Sequence, residues 1–349
     1  MFYIYKATCI SPQQTFGNID LTCLYESADN KLQALEPRYE GIPANVLRRM
    51  NKTVKLGITA AMPLISAEQP PAGIIMGTGN GGMEESGKFL NQIVEYNEDM
   101  LTPTNFVQST PNTVTSQLCM LLKRKEYNIT HVQRGLSFEA AVLDTAMLLR
   151  EHPGQTYLLG GVDEIASYNH EIDKLGGWFR QETVSNHNLY QQQAPGSIAG
   201  EGAALFLTGT QPEQALAELK AVSLVHTTDI NVVKSELQRF LQQNLTRGEE
   251  LDLLLSGESG DSRQTGFYTL SEQLAGPETS IGRFKHMSGE YPTASAFGLW
   301  LSCMLVSKQV SLPAHAIKKQ GRSTELKTVL IHNTHKGAQH SFMLVRKVS

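Results

Sequence analysis

Gly73-Ile74-Ile75-Met76-Gly77-Thr78-Gly79-Asn80-Gly81-Gly82-Met83-Glu84-Glu85 reads as a short apolar strand, a glycine-rich turn and the opening of a helix. The run Gly73–Met76 is too short for a helix and is closed by turn formers; the helix that follows spans about Glu84–Tyr96. Outward from this stretch the same grammar recurs. Upstream lie a strand at Phe2–Ala7 and an amphipathic helix over Asn45–Leu64, with Pro63 marking its end. Downstream, Thr110-Pro111-Asn112 opens a helix that runs to about Leu122. A strand near Asn128–Val132 leads into a helix from Leu136 to Arg150, and a strand at Thr156–Leu159 ends at Gly160-Gly161. Gly200–Leu207, small and apolar, reads as a buried strand. Strands and helices in alternation imply an α/β chain whose sheet is covered by helices.

A polar stretch, Thr208–Gln214, separates a second series with the same grammar. Strands are expected at Ala217–Val225, Leu251–Leu255, Thr328–Ile331 and Ser341–Val345, and helices at Val232–Gln243, Gly266–Leu274 and Thr293–Ser307. The division expected is residues 1–208 and 209–349, two halves of one compact unit.

The composition narrows the function classes. With 40% hydrophobic residues in 349, the chain can bury a sizeable core. A net charge of -4 and a pI near 6.2 supply no basic footprint for nucleic acid. The longest apolar stretch, Ala296–Val306, is too short to span a membrane. Met1–Ile10 carries Lys6 and has no cleavage signature, so a cytoplasmic location with reduced thiols is the expectation. Cys9, Cys23, Cys119 and Cys303 fit no metal-ligand spacing, and neither a metal nor a cofactor is expected. Gly77–Gly82 occupies the place of a phosphate-binding loop but lacks the Lys-Ser/Thr of a P-loop and the GxGxxG register. Tight turns and close backbone packing are the preferred reading of those glycines.

Taken in order, "GIIMGTGNGGMEE", "TPNTVTSQLC", "YLLGGVDEIASY", "GSIAGEGAALFLT" and "FKHMSGEYPTASAFGLWLSCML" resemble a β-ketoacyl synthase of the thiolase superfamily. Each motif is weak alone; their shared order over most of the chain carries the resemblance. It implies a thiolase-like fold, two similar βαβ-type halves in a five-layered αβαβα arrangement, normally dimeric. The resemblance also implies where a catalytic site would lie. Active members carry a nucleophilic Cys at a strand-to-helix turn, where the helix N-terminus raises the thiolate fraction. Counting back from Gly160-Gly161 places that turn at Gln133-Arg134-Gly135-Leu136-Ser137, with Gly135 at the nucleophile's position. The family's first His falls on Ser256. Its Lys is kept as Lys285, and its second His is replaced by Glu290. The terminal glycine-rich segment, with a gating Phe in the family, is matched only loosely by His335-Lys336-Gly337-Ala338.

Decarboxylative condensation needs a thiolate to carry the acyl group and donors for the enolate oxygen. Gly135 has nothing to acylate, Ser256 supplies no cation and a Glu290 carboxylate repels an enolate. No confident catalytic residue remains. A Ser137 or Ser256 nucleophile, the latter beside Lys285, would instead make an acyltransferase or hydrolase. His286 as a replacement imidazole is disfavoured because neighbours in sequence point apart, and a plain Lys285–Glu290 ion pair is preferred. Cys119 reads as core. The leading expectation is a degenerate, chain-length-factor-like partner of an active ketosynthase in fatty-acid or polyketide synthesis. It resembles the short members of aryl-polyene (flexirubin-type) clusters, with acyl carrier protein as a further partner. A homodimer that binds acyl groups or acyl carrier protein without turnover is the other alternative. The family's interface implies that Thr110–Leu122 and Asn128–Val132 lie at the dimer contact, with Val114, Leu118, Met120 and Leu121 as apolar surface.

Overall fold

The computed structural model describes residues 1–39, 42–66 and 68–348. Its strands, in chain order, are β1 (Phe2–Ile10), β2 (Lys31–Leu32), β3 (Gly73–Gly77), β4 (Tyr127–His131), β5 (Tyr157–Asp163), β6 (Ala199–Gly200) and β7 (Gly202–Gly209), followed by β8 (Ala217–His226), β9 (Leu253–Ser256), β10 (Ser280–Arg283), β11 (Ile317–Lys319), β12 (Thr328–His335) and β13 (Gln339–Arg346). The helices are α1 (Ala44–Leu47), α2 (Lys52–Ala61), α3 (Met83–Glu95), α4 (Pro103–Gln108), α5 (Thr113–Leu122) and α6 (Ser137–Glu151), then α7 (Ser167–Leu175), α8 (Ile230–Asn244), α9 (Thr265–Ala275), α10 (Lys285–Ser288) and α11 (Ala294–Val306).

The large sheet runs β4-β3-β5-β7-β1-β8-β13-β12-β9-β10-β11. Its two ends repeat one topology. In the first half the strands lie in the order third, second, fourth, fifth, first of β1, β3, β4, β5 and β7. The same order describes β8, β9, β10, β12 and β13, with β11 as an added edge. The outer pairs of each half are parallel, and the fifth strand runs antiparallel to its neighbours. The two first strands meet at the centre, where Phe2, Tyr3 and Ile4 pair antiparallel with Leu219, Glu218 and Ala217.

Side-chain alternation along the inner strands builds the layers. Ile75 and Leu159 of the first half, and Leu255, Ile331 and Met343 of the second, pack around α6 and α11 in a central core. On the opposite faces, Ile74, Met76 and Leu158 pack under α2 and α5, while Leu254, Leu330 and Leu344 pack under α8 and α9. Helices, sheet, helices, sheet and helices follow one another, which is the expected thiolase-like αβαβα arrangement. α11 is apolar all round and every one of its residues is buried, as its place between the two halves requires. Among the described residues no helix is long and apolar enough to cross a membrane.

Several local expectations are corrected. The helix expected over Asn45–Leu64 is two: Asn51 accepts a hydrogen bond from the Val54 amide and starts α2 afresh, and Met62–Leu64 tightens into a 3-10 turn. Gly160-Gly161 does not end β5 but lies inside it. A Cβ at Gly161 would sit 2.8 Å from that of Ala296, so the glycine lets α11 approach the strand. The short elements α4, α7, β10 and β11 went unread because each is brief and held by tertiary packing. Val114 and Leu118 are not spare surface. Both are buried against α2, and only Met120 of that group stands exposed.

Candidate functional site

After β4, a 3-10 turn at Arg134–Leu136 delivers the chain into α6. Arg134 adopts a left-handed backbone with φ +53°. Ser137 ties this turn together: its Oγ donates to the Arg134 carbonyl at 2.7 Å and accepts from the Gln133 amide at 2.7 Å, and the residue is wholly buried. The Gly135 amide donates to Gln339 Oε1 at 2.9 Å. Gly135 faces His335. A Cβ placed on Gly135 would lie 2.2 Å from His335 Cβ and 2.4 Å from its Cγ, so the imidazole fills the volume that a side chain at the turn would need.

His335 is fixed from behind. Its Nδ1 lies 3.2 Å from Glu290 Oε1, and Lys285 Nζ donates to Glu290 Oε2 at 2.5 Å. The ammonium also reaches the Thr334 carbonyl at 3.3 Å and has no exposure to solvent. Burial pushes the Glu290 carboxyl up, but Lys285 and His335 outweigh it and hold the group below the usual carboxylate range. The turn carrying Glu290 is locked against β6: Gly200 N donates to the Glu290 carbonyl and Glu290 N to the Ile198 carbonyl. Gly289, at φ +73°, and Gly200 permit that contact, since a Cβ on Gly200 would meet the Ser288 carbonyl at 2.1 Å.

These groups open onto a cavity of about 620 Å³, whose wall includes Arg134, Glu290, His335, Lys336, His170 and Trp178. Lys336 Nζ bonds Asp173 Oδ1 at 2.5 Å and lies over the Trp178 ring, whose centroid is also 4.3 Å from the Arg263 guanidinium carbon. The turn between β12 and β13 is therefore pinned across the cavity rim. Glu164, on the same wall, accepts from the Thr53 amide, and burial with the nearby Glu201 charge raises its carboxyl to about 7.

The sequence-derived positions divide. Gly135, Lys285 and Glu290 converge, with His335 between the first and the last. Ser137 lies at the turn, its hydroxyl committed to the backbone and off the cavity wall. Ser256, at the end of β9, accepts from the Glu258 amide and neither lines the cavity nor bonds Lys285. His286 turns the other way, toward Tyr190 and His315, and burial lowers its pKa to about 3. The glycine-rich loop offers no free cradle for phosphate. Asp163 Oδ1 accepts from Thr78 Oγ1, Gly79 N and Asn80 N, and Oδ2 accepts from Thr293 N and Oγ1 at the start of α11. His335 was the residue the sequence left unassigned. Its signal was an imidazole standing in the segment where the resemblance has glycines and a Phe.

The fold has counterparts among known proteins. Residues 25–173 match the family model described as β-ketoacyl synthase, N-terminal domain. No curated protein matches the sequence significantly. Solved structures do share its fold. The ishigamide ketosynthase/chain length factor aligns with TM-score 0.79 at 12% identity, covering 100% of this chain and 99% of that one. AntDE:AntF, a type II acyl-carrier protein in complex with its ketosynthase bound to the hexaketide, gives 0.78 at 14% over the same shares. The ketosynthase ApeO in complex with its chain length factor ApeC from Xenorhabdus doucetiae gives 0.75 at 15%, covering 99% and 98%.

Proposed function

We propose that this chain, which takes the ketosynthase fold and carries a β-ketoacyl synthase N-terminal domain over residues 25–173, is the non-condensing half of a ketosynthase pair. The observation that carries this reading is the His335 ring in the volume a nucleophile on residue 135 would occupy. Condensation fails at each of its requirements: no thiolate can form at Gly135, Ser256 is off the cavity, and Glu290 presents a carboxylate where an enolate would develop. In this reading the chain shapes a shared acyl path and leaves acylation to a partner with Cys, His and His. Its partners are an active ketosynthase and an acyl carrier protein, in cytoplasmic fatty-acyl or polyketide synthesis of the aryl-polyene type. Two of the similar folds are ketosynthase and chain-length-factor assemblies and a third is held with its carrier protein, which supports the choice of partners.

The surface suited to the partner is the open edge of β4. Tyr127 OH and His131 Nε2 both reach Asp144 of α6, so Ile129 between them lies on the same side, with Met147 exposed further along the helix. Expressed alone, the chain forms a homodimer through this edge and exchanges for the active subunit when it is present. Co-expression with a Cys-His-His ketosynthase tests the reading: a stable 1:1 complex is expected, with condensation abolished only by removing the partner's cysteine. Release of carbon dioxide from malonyl thioester by this chain alone, or an acyl adduct on it, contradicts the reading.

A further inference from the structure

His335 is more than a plug. Its Nδ1 faces a carboxylate that Lys285 keeps ionised, and its Nε2 has no hydrogen-bond partner among the described residues while the residue lines an open cavity. A carboxylate behind Nδ1 fixes the tautomer with the proton on Nδ1 and leaves the Nε2 lone pair unengaged. The arrangement is that of a hydrolytic carboxylate–imidazole pair with the protein nucleophile left out. Arg134, on the same wall and next to Gly135, has a guanidinium with no ion pair or hydrogen bond among the described residues. It can meet negative charge that develops on a carbonyl oxygen.

We propose that this cavity hydrolyses acyl thioesters, with water as the nucleophile, His335 as general base and Glu290 as the residue that positions it. The step balances without a protein adduct. His335 Nε2 takes a proton from water as its oxygen bonds to the thioester carbonyl carbon. The tetrahedral adduct then collapses, the C–S bond breaks, and the imidazolium returns the proton to the leaving sulfur. The products are a carboxylic acid and a free thiol. The inference rests on the reading that the cavity admits acyl thioesters, and it gives the non-condensing subunit a task of its own, the removal of acyl chains from a thiol carrier. It differs from a serine mechanism, because Ser137 and Ser256 lie off the cavity wall.

The test uses the purified full chain with hexanoyl-N-acetylcysteamine, following thiol release. The non-hydrolysable ketone isostere of that thioester is titrated separately against the fluorescence of Trp178, the tryptophan that lines the cavity; Trp300 is buried in α11. Turnover above the buffer rate is expected, with no acyl adduct by intact mass, and Cys23→Ser leaves it unchanged. His335→Gln lowers kcat by about 100-fold or more, the range of a lost general base. Glu290→Gln lowers kcat with KM held, as a positioning role requires. Should Glu290→Gln fail to fold because Lys285 loses its counter-charge, His335→Gln at the cavity wall carries the test, with thermal unfolding as its control. Release at the buffer rate, a rate unchanged in His335→Gln, or a stable acyl adduct overturns the proposal. Binding of the isostere without thiol release overturns the hydrolase alone and leaves the partner role standing, whereas absence of binding overturns both.

Discussion

Under the proposed reading, placing a cysteine at position 135 by Gly135→Cys is expected to damage the protein without producing condensation. A Cβ at this position meets His335 Cβ at 2.2 Å, whereas ordinary contacts begin near 3.4 Å, so one of the two backbones must move. His335 cannot swing aside cheaply: it ends β12, pairs with Gln339 of β13 and faces Glu290. Overpacking of a filled site costs about 1–3 kcal/mol, and a clash between two Cβ atoms, which no rotamer relieves, belongs at the upper end, about 3 kcal/mol. His335→Gly removes the obstruction. In a double-mutant cycle the pair should therefore couple favourably by about 2 kcal/mol, since neighbours that share a volume are not additive. Denaturant unfolding of the parent, both single variants and the double variant, under reducing conditions, measures each corner. Iodoacetamide labelling reports whether the new thiol is reachable, which is expected only in the double variant. Even there malonyl decarboxylation stays absent, because Glu290 and Ser256 supply no pair of donors. A Gly135→Cys protein as stable as the parent, with a freely labelled thiol, would refute the placement of His335.

Acid stability provides a second check. His340 is buried and its pKa lies near 4, so folding favours its neutral form; the contribution is whole above the unfolded value near 6.5 and is lost as pH falls toward 4, at about 1.4 kcal/mol per unit. His340→Gln should flatten that slope, whereas Glu164→Gln, removing a carboxyl raised to about 7, should flatten the opposite trend between about 4.5 and 7, both read from unfolding curves at several pH values. At the β4 edge, Ile129→Arg with Met147→Glu should weaken the proposed dimer on the order of 30-fold by sedimentation while circular dichroism stays unchanged. Leu118→Arg, fully buried under α2, should instead prevent folding, so it says nothing about assembly. Trp178→Ala should loosen the cavity rim by removing the ring against which Lys336 and Arg263 lie, seen as faster hydrogen exchange at Gly337 and Ala338.

The fold was legible because its signals are local and repeated. β3 and the Tyr157–Val162 run of β5 are apolar in the way that strands covered on both faces require, and the thirteen apolar or small residues of α11 leave no polar face to misplace. What stayed hidden depends on contacts distant in sequence. Gly160-Gly161 looks like a strand terminator until α11, more than a hundred residues later, is seen lying against it. The break before α2 depends on one Asn whose capping role competes with an otherwise continuous helical period.

The site divides along the same line. Gly135, Lys285 and Glu290 were named by counting within motifs, and the structure brings them together around His335. Ser256 and Ser137 could be found but not judged: a hydroxyl's function depends on whether it faces space or backbone, and both face backbone. His335 could be given no role, since its segment follows the resemblance only loosely and the two residues it meets lie far away in the chain, Gly135 by 200 residues and Glu290 by 45. The replacements nevertheless explain one another. A carboxylate at position 290 would be costly beside Lys285 alone if its second oxygen lacked a donor, and His335 supplies one. The imidazole in turn needs the space that only a glycine at position 135 leaves. Gly135, His335 and Glu290 are thus physically coupled, and under the proposed reading changing any single one of them leaves either a clash or an unpaired buried group.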